Sequence, residues 1–341
     1  MMPGQLRAVL AYSFMAITVN SPGRPGFVQA ECSSKRFKVK PLSMTALMIS
    51  LMVYFEKEMM DIIMNKALSD ERIRAVTMEG SRANPNAVHD SYSDFDISYY
   101  VTDIREFTKD KSWINELGDI LIAQFPTDWY SHPYDYGSRA PFAFLIQFAD
   151  GSRIDLTLVD VTNISQEAEN KEPRIVLLNK DNFPYLLPLQ AEDVFFLRPP
   201  EEKEFLDTCN EFRWLSLYIS KGVCREELYY AKNAYDVLIM PMFLKMLNWR
   251  IGTEHGFRVT TGSSCKYLKR FLSTEEMERF QGIFPDGSYE NICRCLFLMY
   301  DYFHESAGRV AGHFHFYYDR MEIQRVRQFL EDRFHEKGFF I

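Results

Sequence analysis

Apolar positions recur at two periods along this chain, and the change of period divides it. In "EKEMMDIIMNKALSDERI" (56–73), Met59, Ile62, Ile63 and Ala67 fall at helical spacing, which predicts an amphipathic helix of about four turns. Short β-rich runs follow. "IRAVTM" predicts a strand ended by Gly80, and "DFDISYYV" predicts the next. "WINELGDILIAQF" reads as a helix. "FAFLIQFAD" and "SRIDLTLVD" predict two strands joined at Asp150-Gly151, a favoured two-residue turn, and "RIVLLNKD" one more. Strands mixed with helices over residues 56–190 indicate an α/β domain with a mixed sheet.

Pro184, Pro188, Pro199 and Pro200 punctuate a linker, after which strand signals stop. Five helical runs fill the remainder, from "EKEFLDTCNEFRWLSLYISKG" to "DRMEIQRVRQFLEDRFHEKG". Residues 191–341 are therefore expected to form an all-α helical bundle. The first 55 residues read differently. Their two apolar runs are each shorter than the roughly 18–20 residues that span a bilayer. The first run resembles a weak signal peptide, but a translation start near Met59 or Met60 is the favoured reading. Residues 1–55 are then an upstream extension, expected to be poorly ordered.

Composition narrows the function. The 341 residues are 47% hydrophobic, enough for two cores. A net charge of −8 argues against a nucleic-acid partner, suits a small cationic substrate, and comes with no expectation of stable membrane association. Six scattered cysteines without a CxxC pair indicate reduced thiols in a cytoplasmic protein. Cys293 and Cys295 could meet a metal with His313 or His315, but core packing of a helix is the simpler reading.

The chemistry concentrates in "MEGSRANPNAVHDSYSDFDISYY". Side chains alternate along a strand, so Asp94 and Asp96 point one way and Phe95 the other. Two carboxylates a pleat apart repel each other unless they share a divalent cation. Asp155, with Ile154 and Leu156 turned away, can supply a third. Three strand carboxylates around a gap suit phosphoryl transfer with two Mg²⁺ ions. Gly80 and Ser81, directly after a strand, let backbone N–H groups and a hydroxyl approach phosphate oxygens. Arg82 can either contact phosphate or stabilise the loop.

"GS…DFD" with a later "RID" resembles the nucleotidyltransferase superfamily that includes DNA polymerase β. More closely, "ERIRAVTMEGSRANPN", "SDFDISYYVTDI", "FLIQFADGSRIDLTLVD", "LLNKDN", "CNEFRWLSLYISKG" and "MLNWRIG" resemble the aminoglycoside 6-adenylyltransferases, or streptomycin adenylyltransferases, over roughly residues 56–335. That resemblance implies AMP transfer from ATP to a hydroxyl of streptomycin, which inactivates the antibiotic. It implies that Asp94, Asp96 and Asp155 bind metal, that Gly80, Ser81 and Arg82 form the triphosphate loop, and that Asp181 in "NKDN" could act as general base.

The acceptor side has its own pattern. On "FLDTCNEFRWLSLYISK", Asp207, Glu211, Trp214, Tyr218 and Lys221 form one stripe, while Phe205, Cys209, Phe212, Leu215 and Ile219 form an apolar one. The acids and aromatics could take a guanidinium-bearing sugar, and Lys221 an ATP phosphate. Two rivals stand beside this reading: a nucleotidyltransferase acting on a protein or another small-molecule hydroxyl, and an inactive nucleotide-binding module.

Overall fold

The computed structural model describes residues 44–339, apart from 85, 86, 88, 89, 91, 190 and 191. Most of the expected N-terminal extension, residues 1–43, lies outside the described residues. Helix α1 runs from Met44 to Ser69, so helical structure begins well before the expected start at residue 56. Strand β1 (Ile73–Met78), a single helical turn α2 (Gly80–Ala83), β2 (Phe95–Val101) and α3 (Ile104–Lys109) follow. Then come β3 (Ile120–Gln124), β4 (Phe142–Phe148), β5 (Arg153–Asp160) and β6 (Ile175–Asn179).

The six strands form one mixed sheet in the order β3-β4-β5-β2-β1-β6. Only β2 and β5 run parallel; the other neighbours are antiparallel. One face carries Phe95, Ile97, Tyr99, Ile154, Leu156 and Leu158, which pack with Met59, Ile63 and Ala67 of α1. The Tyr99 hydroxyl donates to the Ile63 carbonyl at 2.7 Å and ties helix to sheet. The other face holds a smaller cluster at one end, Ala75, Tyr100, Val159, Ile164 and Leu186. The opposite end of that face is polar, and the candidate site lies there.

Two local expectations change. "WINELGDILIAQF" is a short 3₁₀ segment, Ser112–Leu117, followed by β3. Gly118, at φ +148°, breaks the helical run, and the chain after it pairs with β4 as an edge strand. Leu121 and Ile122 remain exposed on that edge, which hid its period from the sequence pattern. The β4–β5 hairpin closes at Gln147 opposite Arg153, so Asp150-Gly151 sits within a longer turn than two residues.

Beyond the linker lie α4 (Glu202–Cys224), α5 (Leu228–Asn233), a π-helical stretch (Ala234–Ile239), α6 (Met240–Glu254), α7 (Thr274–Gly282), α8 (Tyr289–Phe314) and α9 (Arg320–Glu336). Phe205, Cys209, Phe212, Leu215 and Ile219, the apolar stripe of α4, are all buried in this second core. Cys293 and Cys295 are fully buried there too, near the start of α8. His313 and His315 sit some 30 Å along the helix axis, at 1.5 Å per residue, so no shared metal forms. Among the described residues every cysteine is free, and no helix is long and apolar enough to cross a membrane.

Candidate active site

The parallel pairing of β2 and β5 sets Asp96 directly opposite Asp155, and Phe95 opposite Ile154. Alternation then gives the two aspartates one face while their neighbours enter the core beneath. Asp94 stands one pleat earlier, where the chain enters β2. The loop after β1 closes over this row, because the Glu79 N–H donates to the Asp96 carbonyl at 2.9 Å.

Gly80 makes that approach possible. Its φ is +63°, and a Cβ there would lie 1.9 Å from Asp96 Oδ2. No side chain fits between loop and carboxylate. Arg82 has a different task from phosphate contact. Its guanidinium donates to the carbonyls of Ser93 and Asp94 at 2.9 and 3.0 Å, pairs with Glu56 at 2.6 Å and lies 3.7 Å over the Phe95 ring. Of the two roles left open for Arg82, the geometry supports loop stabilisation: it clasps the loop to the chain that delivers Asp94 and Asp96.

Burial raises the pKa of Asp96, and the neighbouring Asp155 and Asp94 charges raise it further. Asp94 is also raised, first by burial. Arg153 partly offsets this concentration of negative charge. Its Nε and a terminal nitrogen donate to the two oxygens of Asp155 at 2.6 and 2.8 Å, and Nε lies 3.8 Å from Asp94. Among the described residues no three His, Cys, Asp or Glu side chains close into a ready metal cage. Asp94, Asp96 and Asp155 nevertheless offer clustered hard oxygen donors with excess negative charge, the donor chemistry that suits Mg²⁺.

Comparison with known proteins shows the family. The family described as streptomycin adenylyltransferase matches residues 54–333. The chain belongs to the streptomycin adenylyltransferase family. It is thereby a nucleotidyltransferase enzyme. An aminoglycoside 6-adenylyltransferase of Bacillus subtilis (strain 168) is 35% identical over 75% of this chain and 90% of its own length. One from Campylobacter jejuni is 33% identical over 80% of this chain and 95% of its own. A crystal structure of an aminoglycoside 6-adenyltransferase from Bacillus subtilis shows 31% identity, covering 82% of this chain and 98% of that one, with a TM-score of 0.41.

In this adenylyltransferase the acceptor stripe of α4 divides. Its acidic end opens onto a cavity of about 670 Å³ lined by Glu204, Asp207, Asn210, Glu211, Met242 and Lys245 among others. Lys203 pairs with Asp207 at 2.5 Å and Lys245 with Glu204 at 2.7 Å. Trp214 and Tyr218 lie further along the same face, half exposed, with the indole N–H donating to the Tyr218 hydroxyl at 3.1 Å.

Two expected residues fall outside these groups. Lys221 is exposed roughly 21 Å along α4 from Asp207, at 1.5 Å per residue. It lies well away from the acidic cavity. Asp181 follows the far end of β6, where it takes two hydrogen bonds from Arg74, which lower its pKa. Gly80 follows the opposite end of β1, six residues from Arg74 and roughly 20 Å away at 3.3 Å per residue. Asp181 is therefore not placed to act as a base on chemistry at Asp96.

A different lysine, Lys266, lies near the carboxylate row. It lies on the loop "TTGSSCKYLKR", close enough for its charge to act on the Asp94 carboxylate. Gly262, Ser264 and Cys265 of that loop all have positive φ. The loop is tied to α6 by the Thr261 hydroxyl, which donates to Asn248 at 2.9 Å. Asn248 is one turn from Lys245, so the acidic cavity and Lys266 share one end of the bundle. A glycine-serine run ending in lysine was the available signal for Lys266. Arg153, two residues before Asp155, was visible in "RID".

Proposed function

We propose that the protein transfers AMP from ATP to a hydroxyl of an aminoglycoside, streptomycin in particular, and so confers resistance to it. The acceptor oxygen attacks the α-phosphorus, the bond to the β-phosphate oxygen breaks, and pyrophosphate leaves. The observation that carries this reading is the Asp96–Asp155 pairing under the Gly80 loop, with Asp94 beside it. Asp94, Asp96 and Asp155 would hold Mg²⁺, two ions in a full site. The bound cation would neutralise phosphate charge and lower the pKa of the acceptor hydroxyl. The N–H groups of Gly80 and Ser81, at the start of a helical turn, would receive the triphosphate, and Lys266 would add positive charge from the bundle.

The family and its curated relatives support an aminoglycoside as acceptor. Streptomycin is supported by the acidic cavity. Its guanidinium groups are planar donors that carboxylates grip through two hydrogen bonds, and Glu204, Asp207 and Glu211 line one opening. In this reading residues 56–190 catalyse, residues 191–341 select the acceptor, and the enzyme works in the cytoplasm with ATP. The test is pyrophosphate release from ATP across a panel of aminoglycosides. Release with streptomycin but not with kanamycin is expected. Release with none of the panel, or equally with kanamycin, overturns the assignment.

A further inference from the structure

The three candidate metal ligands are not evenly served by the rest of the chain. Arg82, the arginine of the neighbouring loop, is occupied by Glu56 and two carbonyls. Lys266 is exposed on the other domain. Arg153 alone among the described arginines and lysines donates hydrogen bonds to the carboxylates of the cluster. Being two residues from Asp155 on one strand, it shares the face. Its planar fork covers both Asp155 oxygens, a grip that a lysine cannot reproduce. It also sits within 3.8 Å of Asp94, on the outer side of the row. A guanidinium in that place supplies the positive charge the row lacks, and it repels any dication that comes to the same oxygens. The pair is partly exposed, at 38% for Arg153 and 25% for Asp155, so the side chain has room to leave.

We propose that Arg153 is an internal counter-cation: it neutralises the catalytic carboxylates and holds Asp155 while no divalent cation is bound, and gives way when one arrives. The proposal rests on the metal reading above. Arg153 is then a positioning residue that sets the affinity of the site for metal. An arginine that merely props up β5 would stabilise the protein to the same degree with and without metal.

The test compares wild type, Arg153→Gln, Arg153→Lys and Asp96→Asn after treatment with chelator. Mn²⁺ binding is followed by the electron-spin resonance of the free ion, and thermal midpoints by circular dichroism. Because the ion pair is partly solvated, Arg153→Gln is expected to bind Mn²⁺ about three- to tenfold more tightly than wild type. Its midpoint in chelator should fall by about 2–4 °C and the gap should close at saturating Mn²⁺. Arg153→Lys falls between, and carries the test alone should the Gln variant not fold. If Asp96→Asn loses Mn²⁺ but neither Arg153 variant binds it more tightly, the counter-cation is overturned and the metal site stands. If Asp96→Asn binds Mn²⁺ as wild type does, or wild type binds none, the metal reading itself fails and the counter-cation fails with it.

Discussion

Replacing Gly80 with alanine separates folding from chemistry. The residue sits at φ +63°, where an L-side chain costs about 1–2 kcal/mol. The new methyl adds a second penalty, because its carbon would start 1.9 Å from Asp96 Oδ2. Ordinary contact begins near 3.4 Å, so loop and carboxylate must part by the difference. The loop is held by Arg82 and by the Glu79–Asp96 backbone bond, and Asp96 is the part that can rotate. A misplacement on this scale costs on the order of a hundredfold in rate. Gly80→Ala should therefore remain folded, with a midpoint lowered by about 2–8 °C, while kcat for pyrophosphate release drops about a hundredfold or more. Coupled pyrophosphate assays and thermal melts on the same preparation check both. A variant within about threefold of wild-type kcat, roughly 0.7 kcal/mol, would refute the placement of the loop against Asp96.

Other outcomes follow from the same geometry. Asp96→Asn should fold normally and lose roughly a thousandfold or more in kcat, measured by AMP transfer to the acceptor. Glu211→Gln should raise the KM for streptomycin about five- to tenfold, a figure reduced because Glu211 is solvent-exposed, and leave the KM for ATP unmoved in steady-state kinetics. Lys266→Ala should do the reverse, raising the KM for ATP about tenfold. His304 is half-buried, its ring bonded to the Tyr318 hydroxyl, and desolvation lowers its pKa from 6.5 to about 3. The unfolded chain then binds a proton that the native protein refuses. Stability should be full above pH 6.5 and fall toward pH 3, by at most about 1.4 kcal/mol per pH unit. Urea melts should show a shallower slope for His304→Gln.

The carboxylate row was readable because strand alternation is a rigid rule. Asp94, Asp96 and Asp155 fall on one face whatever the sheet order, since Phe95, Ile154 and Leu156 must go the other way. The apolar stripe of α4 was readable for the same reason, at helical spacing. Asp181 and Lys221 were misplaced because neither rule says which end of an element faces the site. β6 runs antiparallel to β1, which carries Asp181 away from the loop, and Lys221 sits at the distant end of a long helix. The clasp by Arg82 could not be separated from a phosphate contact, because both need the same cation beside the same loop. Lys266 was hidden in a loop whose shape depends on three positive-φ residues and on contacts with α6.

The single parallel pairing has a bearing on how the enzyme comes into being. β1 with β2, and β3 with β4 and β5, are each joined by antiparallel neighbours close in sequence. In the sheet these two units are joined through β2 and β5, whose strands are far apart along the chain. Closing such a contact carries a loop entropy that local hairpins do not, so it forms late. The carboxylates straddle that seam, Asp94 and Asp96 on one side and Asp155 on the other. A nascent or partly unfolded chain can thus contain every strand and still lack the assembled carboxylate row, and the burden of bringing mutually repelling charges together falls on the final docking step.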